Sequence, residues 1–291
     1  MQPGGHTEPF AVLGHPIGHS LSPAMHNAGF EALGMDAIYV AFDVHPDRLM
    51  NVLPAMAAMG FRGINLTVPL KETAFRGLRD LTPEAQRLGA VNTVQIQSDG
   101  SLRGHNTDGT GFLESVRESF GLSVAGQTVF VLGCGGAGRA VAITCAMAGA
   151  ARLLLANAHV ERAQRVAVEI GTLSPGTPVS VAPSTPSAWI SACRESTLVV
   201  QSTTVGMKPG DPSLLPPEAF HAGQCAMDLI YHHPETPFTR AAHIGGASTV
   251  NGLGMLLHQG TAAFTIWTGK PAATTAMRQA LEQAVYTRSP T

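Results

Sequence analysis

The chain has 291 residues, of which 44% are hydrophobic and 13% charged, a balance that predicts two packed domains and excludes a disordered chain. A net charge of −2 and only 5% aromatic residues argue against a nucleic-acid or anionic-membrane partner. The first nine residues contain no signal-peptide pattern, and no apolar run reaches the ~20 residues of a membrane helix, so we expect a cytoplasmic protein. The 4 cysteines and 12 histidines follow no disulfide or metal-binding spacing, so no metal site is predicted.

The first 107 residues alternate strand-like and helix-like segments, which predicts a mostly parallel sheet covered by helices. Strands are expected over 9–14, 37–44, 63–68 and 92–97, and helices over 22–33, 46–59, 71–78 and 84–88. Ser22 followed by Pro23 is a typical N-cap and N1 pair for the first helix. The turn signal Asp99-Gly100 predicts a hairpin that adds an antiparallel strand after residue 101.

A glycine-rich turn, GCGGAG at 133–138, marks a second domain. An apolar run at 128–132 precedes it, and an Ala-rich helical segment and a second apolar run, 152–156, follow. This order is that of a Rossmann-type dinucleotide-binding unit: Gly133 allows the tight turn, Gly135 lets backbone approach a pyrophosphate, and Gly138 lets helix pack on strand. The N–H groups at the start of the helix favour phosphate binding.

The end of the second strand of this unit bears on the choice between NAD and NADP. A carboxylate there would bind the ribose hydroxyls of NAD. Residues 156–162 are ANAHVER, which places no carboxylate directly at the strand end and so removes the repulsion that a 2′-phosphate would meet. His159, Arg162 and Arg165 supply positive charge nearby. The sequence therefore favours NADP over NAD.

The remaining segments complete the prediction of two α/β domains with a cleft between them. Residues 109–120 have apolar side chains at helical spacing and form a helix that crosses between the domains. Further strands are expected over 197–201 and 225–230, loops over 182–187 and 208–217, and helices over 251–268 and 274–285. We assign residues 1–107 with 257–291 to one domain and residues 108–256 to the dinucleotide-binding domain.

Polar side chains follow the strands of the first domain, at the strand ends where doubly wound sheets bind ligands. Ser20 and Ser22 have the spacing to bind a carboxylate or a diol, although both residues also suit a loop and a helix cap. Asn65 and Thr67 have side chains that can bind hydroxyls.

Lys71 and Asp108 are the candidates for proton transfer. A lysine at a desolvated strand end can have its pKa lowered into the range of a general acid or base, although most lysines are simply solvated. Asp108 either caps the crossing helix or holds and tunes Lys71.

These residues lie in motifs whose order resembles that of the shikimate dehydrogenase family. The motifs are HSLSP at 19–23, NLTVPLK at 65–71, AVNT at 90–93, NTDG at 106–109, GCGGAG at 133–138, DLIY at 228–231, TPF at 236–238 and NGLGMLLHQ at 251–259. The resemblance extends from about Phe10 to Thr268. It implies NADP-dependent, reversible reduction of 3-dehydroshikimate to shikimate, a step of chorismate and aromatic amino acid biosynthesis.

The resemblance also implies a role for each matched residue. Ser20, Ser22 and Tyr231 would hold the substrate carboxylate, and the ring hydroxyls would be held by Asn65, Thr67, Asn92, Asp108 and Gln259. Lys71, paired with Asp108, would transfer the proton. The cofactor would contact Gly133, Gly135, Gly136, Ala137, Gly138, Asn157, His159, Arg162, Thr203, Thr204, Gly206, Gly252 and Met255, the last two near the nicotinamide.

The sequence departs from the family pattern at the second strand end. Members specific for NADP usually have N-R-T there, with the arginine on the 2′-phosphate, whereas this chain has Asn157-Ala158-His159. The first family arginine is therefore missing, while Arg162 matches a second one. Because only one of the two arginines is present, NAD use stays open beside NADP. Cys134 stands where the family usually has a small alanine, and the loop should tolerate this substitution.

Two other functions stay open beside this one. A quinate/shikimate dehydrogenase using NAD or NADP is the close alternative, because quinate differs only by a ring hydroxyl and by saturation. A non-catalytic metabolite sensor is the alternative from another class, and the presence of both Lys71 and Asp108 argues against it. The sequence leaves monomer and homodimer open.

Overall fold

The computed structural model describes residues 3–286 and divides into two compact units, Met1–Gly111 with Leu257–Thr291, and Phe112–Leu256. The sequence predicts the two boundaries at 107/108 and 256/257. Both boundaries of the structure fall inside helices, α5 (Asp108–Phe120) and α10 (Leu253–Thr268). Each unit consists of a sheet with helices, so the predicted α/β class is confirmed.

The first unit is built on a six-stranded sheet. Its strands are β1 (Glu8–Gly14), β2 (Ala37–Asp43), β3 (Gly63–Leu66), β4 (Asp80–Leu81), β5 (Thr93–Ile96) and β6 (Leu102–His105). Their order is β2-β1-β3-β5-β6-β4. Strand β1 is parallel to β2 and β3, and β4 is parallel to β6, whereas β5 is antiparallel to β3 and β6. The β5–β6 pair is the hairpin predicted at Asp99-Gly100.

Helices cover both faces of this sheet. They are α1 (Ser22–Ala32), α2 (Leu49–Ala58), α3 (Leu70–Gly77), α4 (Pro83–Leu88), the later part of α10 and α11 (Thr274–Tyr286). Alternate residues of β1 point to opposite faces, as the strand geometry requires. Ala11 and Leu13 pack with the side chains of α2, α3 and α4, whereas Phe10 and Val12 pack with Phe30 of α1 and Phe264 of α10.

The second unit has a six-stranded sheet in which all pairs are parallel. Its strands are β7 (Thr128–Leu132), β8 (Arg152–Ala156), β9 (Val179–Val181), β10 (Leu198–Gln201), β11 (Cys225–Asp228) and β12 (Ser248–Val250). The order β12-β11-β10-β7-β8-β9 is that of the doubly wound dinucleotide-binding fold, in which ligands bind where the order reverses, beside β7. Its remaining helices are α6 (Gly136–Met147), α7 (Val160–Leu173), α8 (Pro186–Arg194) and α9 (Pro237–Ile244).

Several local predictions need correction. Ser22 is not the N-cap of α1: Leu21 occupies that position without a side-chain cap, and Ser22 itself is buried. The segment 182–187 is not all loop, because α8 begins at Pro186 and Thr185 caps it by accepting a hydrogen bond from Ala188 N. The short elements β4, β9, β12 and α9 were not predicted.

Within residues 3–286, no helix is both long and apolar enough to span a bilayer. The same residues contain no group of three or more His, Cys, Asp or Glu side chains arranged to hold a metal ion.

Candidate active site

The side chains of Lys71 and Asp108 form an ion pair in the first unit. Lys71 is in the first turn of α3, which follows β3, and Asp108 begins α5, which follows β6. The Lys71 Nζ donates to Asp108 Oδ2 at 2.6 Å. The Lys71 side chain is 27% exposed and that of Asp108 15% exposed, so the pair is partly shielded but remains open to a ligand. Asp108 thus binds Lys71 directly.

Asn92 connects this ion pair to α10. Its side-chain nitrogen lies 3.0 Å from Asp108 Oδ1, 2.8 Å from Thr107 Oγ1 and 3.4 Å from Gln259 Oε1. Its side-chain oxygen accepts from the backbone N–H of Thr107 at 2.8 Å. Asn92 is buried, so these bonds fix the second carboxylate oxygen of Asp108. The structure therefore brings together four predicted site residues: Lys71, Asn92, Asp108 and Gln259. Thr107, which stands in the NTDG motif, had not been singled out.

Asn65 lies at the edge of the same network. Its side-chain nitrogen donates to Asn92 O at 3.1 Å and to Thr93 Oγ1 at 3.0 Å, and its side-chain oxygen accepts from the Tyr39 hydroxyl at 2.7 Å. Thr67 follows β3 and is only partly buried. Thr93 stands in the AVNT motif but had not been singled out, and no sequence signal had pointed to Tyr39, which looks like an ordinary strand residue.

The two serines occur together at the start of α1. The Ser20 hydroxyl accepts from the backbone N–H of Ser22 at 3.3 Å. Ser22 is buried and Ser20 is half-buried, so the Ser20 side chain is the more accessible of the two.

Tyr231 belongs to the second unit and lies just after β11. Its ring stacks on that of His232, with centroids 4.3 Å apart and an interplanar angle of 26°. Burial raises the pKa of the Tyr231 phenol, so it is a neutral hydrogen-bond donor near neutral pH.

The glycine turn after β7 has two glycines that the fold itself requires. Gly133 has φ +104°, and a Cβ there would lie 2.8 Å from the Thr203 side chain. A Cβ on Gly138 would overlap the carbonyl oxygen of Gly133, so only glycine lets α6 begin this close to the turn. At Gly135 and Gly136, by contrast, a Cβ would meet no described atom within 4 Å. The backbone of these two residues is accessible from outside.

The start of α6 suits a pyrophosphate. Gly135 is its N-cap and no side chain caps the helix, so the first N–H groups, those of Gly136, Ala137 and Gly138, are not satisfied by a cap. An accessible glycine backbone and an uncapped helix N-terminus form the kind of cradle that binds a dinucleotide phosphate. Burial raises the pKa of the Cys134 thiol to about 12, so this substituted residue adds no charge to the cradle.

The residues after β8 line a surface cavity of about 450 Å³. It is lined by Ala158, His159, Val160, Glu161, Gln164, Val181, Pro183 and Ser184. Arg162 is exposed and is not among the lining residues. Asn157 stabilises the glycine turn after β7. Its side-chain oxygen accepts from Cys134 N at 2.9 Å, and its side-chain nitrogen donates to His159 O at 3.0 Å.

The other predicted cofactor residues follow β10 and β12. Thr203, Thr204 and Gly206 form the loop after β10, and the buried side chain of Gln201 holds that loop by donating to Val205 O at 2.9 Å. Gly252 donates its N–H to Ile230 O at 3.0 Å, which ties the start of α10 to the end of β11. Met255 lies in the first turn of α10.

Comparison with known proteins gives one family along the chain. Residues 12–94 match the family described as the shikimate dehydrogenase substrate binding domain, and residues 252–282 match the shikimate 5′-dehydrogenase C-terminal domain. A shikimate dehydrogenase (NADP(+)) of Moorella thermoacetica is 45% identical over 278 residues, covering 94% of this chain and 92% of the relative.

Two crystal structures are similar over nearly the whole chain. Shikimate 5-dehydrogenase of Thermus thermophilus, in complex with NADP(H) and shikimate, is 41% identical with a TM-score of 0.84, covering 96% of this chain and 100% of that one. Shikimate 5-dehydrogenase of Listeria monocytogenes, in complex with shikimate and NAD, is 34% identical with a TM-score of 0.90, covering 97% and 98%.

Proposed function

The chain belongs to the shikimate dehydrogenase family, and on that basis we propose that it catalyses the NADP-dependent, reversible reduction of 3-dehydroshikimate to shikimate. The observation that carries the proposal is the Lys71–Asp108 pair at 2.6 Å, held by Asn92 within a network of neutral hydrogen-bonding side chains. It is an oxidoreductase acting on a CH–OH group of a metabolite in aromatic amino acid biosynthesis.

The reaction adds a hydride to the carbonyl carbon of 3-dehydroshikimate and a proton to the carbonyl oxygen, so that C=O becomes CH–OH. When bound, NADPH supplies the hydride. The protein has to bind and orient the substrate, exclude water, and supply the proton. In the reverse direction, the same group accepts the proton from the shikimate hydroxyl.

We assign the proton transfer to Lys71. In the reduction, Lys71 Nζ donates a proton to the carbonyl oxygen as negative charge develops on it, and the lysine becomes neutral. Asp108 accepts a hydrogen bond from Nζ and so fixes the direction in which the ammonium points. Asn92 holds the other carboxylate oxygen, which keeps Asp108 from rotating away.

Substrate recognition is assigned to the side chains around this pair. The family resemblance assigns the substrate carboxylate to Ser20, Ser22 and Tyr231. The ring hydroxyls are held by Asn65, Thr67, Asn92, Asp108 and Gln259. The donors and acceptors other than Asp108 are neutral, which suits a ligand that is mostly hydroxylated.

The second unit is assigned the cofactor, with its pyrophosphate at Gly135, Gly136 and Ala137, and the first unit is assigned the substrate. NADP is the proposed cofactor, and the NAD bound by the Listeria relative supports NAD as a second one. The positive charge for a 2′-phosphate is assigned to Arg162, with His159 nearby, whereas Glu161, which lines the same cavity as His159, opposes a bound phosphate there. A monomer or homodimer and a cytoplasmic location stay predictions.

Initial rates with shikimate and with quinate, each with NADP⁺ and with NAD⁺, test this function. We expect the highest kcat/KM for shikimate with NADP⁺. A higher value for quinate would favour the quinate/shikimate dehydrogenase instead. Binding of shikimate by calorimetry, without turnover of either compound, would favour the sensor.

A further inference from the structure

Tyr39, which is absent from the residues assigned above, is held in place by two side chains of one helix, α1. The side-chain amide of Asn27 binds both the backbone N–H of Tyr39, at 2.8 Å, and its carbonyl, at 2.9 Å. The ring of His26 stacks on the Tyr39 ring, with centroids 4.3 Å apart and an interplanar angle of 13°. Helix α1 therefore fixes both the backbone and the ring of Tyr39.

The hydrogen bonds of Asn65 determine which way the Tyr39 proton points. Asn92 O can only accept a hydrogen bond, so the Asn65 group 3.1 Å from it must be the NH₂. The Asn65 oxygen then faces the Tyr39 hydroxyl at 2.7 Å, and Tyr39 must be the donor. Both protons of the Asn65 amide are committed to Asn92 O and Thr93 Oγ1. Asn65 can therefore only accept a further hydrogen bond.

The Tyr39 hydroxyl stays protonated and can make this bond near neutral pH. Burial raises the pKa of the Tyr39 phenol well above its usual value, and a smaller effect of the Ser22 side chain opposes that shift. Burial likewise lowers the pKa of His26 to about 3, against a smaller opposing effect of Asn65. The stacked imidazole is therefore neutral and brings no charge to the cluster.

We propose that Tyr39 is a positioning residue for the substrate, acting through Asn65. Its hydroxyl donates to the Asn65 oxygen at 2.7 Å and holds that oxygen in place, so that this position accepts a hydroxyl proton and rejects a carbonyl or a carboxylate. The proposal rests on shikimate as the substrate.

The test is Tyr39→Phe, which removes one oxygen atom and keeps the ring that stacks on His26. The variant should raise the KM for shikimate on the order of fivefold to tenfold, the value of one net hydrogen bond, with kcat and the KM for NADP⁺ within about twofold. Calorimetry should show the same loss in the Kd of shikimate. In an Asn65→Ala background the further loss should be smaller, so that the double variant loses less than the product of the single losses.

Thr82→Val is the matched control. Thr82 is also buried in the first unit, and its hydroxyl caps α4 by accepting from Ala85 N at 3.3 Å. This variant should lower the melting temperature and leave the KM for shikimate unchanged. A wild-type KM for shikimate in Tyr39→Phe would make Tyr39 a core residue only. Fully multiplicative losses with Asn65→Ala would show that Tyr39 does not act through Asn65. Both results differ from an inactive wild type, which would contradict the proposed function itself.

Discussion

Replacing Lys71 by methionine tests the proton-transfer assignment. The substitution keeps the length of the side chain but removes the ammonium, so Asp108 loses its 2.6 Å partner and keeps Asn92 at 3.0 Å. A positioned general acid or base contributes on the order of 10²–10⁴ to the rate, and we expect kcat for shikimate oxidation to fall by that factor. The KM for shikimate should change by less than about tenfold, because Lys71 contributes no more than one hydrogen bond to binding.

The stability of this variant should fall moderately. Lys71 and Asp108 are only 27% and 15% exposed, and removing Nζ leaves the Asp108 carboxylate with Asn92 as its partner, so the free energy of unfolding should fall by about 1–3 kcal/mol. Lys270→Met is the control, since Lys270 is an exposed lysine of the same unit and should leave kcat unchanged.

Asp108→Asn completes a double-variant cycle. If Lys71 and Asp108 act as one unit, the double variant should be no slower than the slower single variant. The assay is steady-state reduction of NADP⁺ at saturating shikimate. A Lys71→Met enzyme with half of the wild-type kcat would refute the assignment, and fully multiplicative losses would refute the coupling.

Three further predictions concern the second unit. Gly138→Ala should lower the melting temperature, because its Cβ would overlap the carbonyl oxygen of Gly133. Gly135→Ala should leave the melting temperature unchanged and raise the Kd of NADP⁺. Equal melting temperatures for the two variants would contradict this account of the turn. Burial raises the pKa of Asp228 to about 6, above its unfolded value, so ionising this carboxyl should lower the free energy of unfolding by up to about 3 kcal/mol as the pH rises from about 4 to about 6. Asp228→Asn should remove that pH dependence. Denaturant titrations in which the variant keeps the wild-type dependence of stability on pH would contradict this. Arg162→Ala should narrow the preference for NADP⁺ over NAD⁺ and Ala158→Arg should widen it, as ratios of kcat/KM; no change with either would remove this segment from cofactor choice.

The regular elements were predictable because each had a strong local signal. The apolar run 128–132 before GCGGAG indicated β7, the glycine turn and α6, and Asp99-Gly100 indicated the hairpin. The two- and three-residue strands β4, β9 and β12 are too short to show a period of their own and exist only because a neighbouring strand pairs with them. Helix α8 was missed because its N-cap, Thr185, stands in a Pro- and Ser-rich stretch that is equally typical of a loop.

The candidate site was predictable at the level of motifs but not of contacts. The motifs gave Lys71, Asn92 and Asp108, and the structure shows these side chains in contact. Ser22 looked like a helix cap because Pro23 follows it, yet Leu21 is the N-cap and the Ser22 side chain is buried, which the sequence pattern does not reveal. Tyr39 itself looks like any strand aromatic, because its role depends on which oxygen it meets across the sheet.

Steady-state kinetics of the wild-type protein with shikimate and NADP⁺, compared with quinate and with NAD⁺, test the central claim most directly. We predict NADP⁺-dependent oxidation of shikimate to 3-dehydroshikimate, with kcat/KM higher than for quinate with either cofactor and higher for NADP⁺ than for NAD⁺. No oxidation of shikimate with either cofactor would contradict the proposed activity, and kcat/KM at least ten times higher with NAD⁺ would overturn the cofactor assignment.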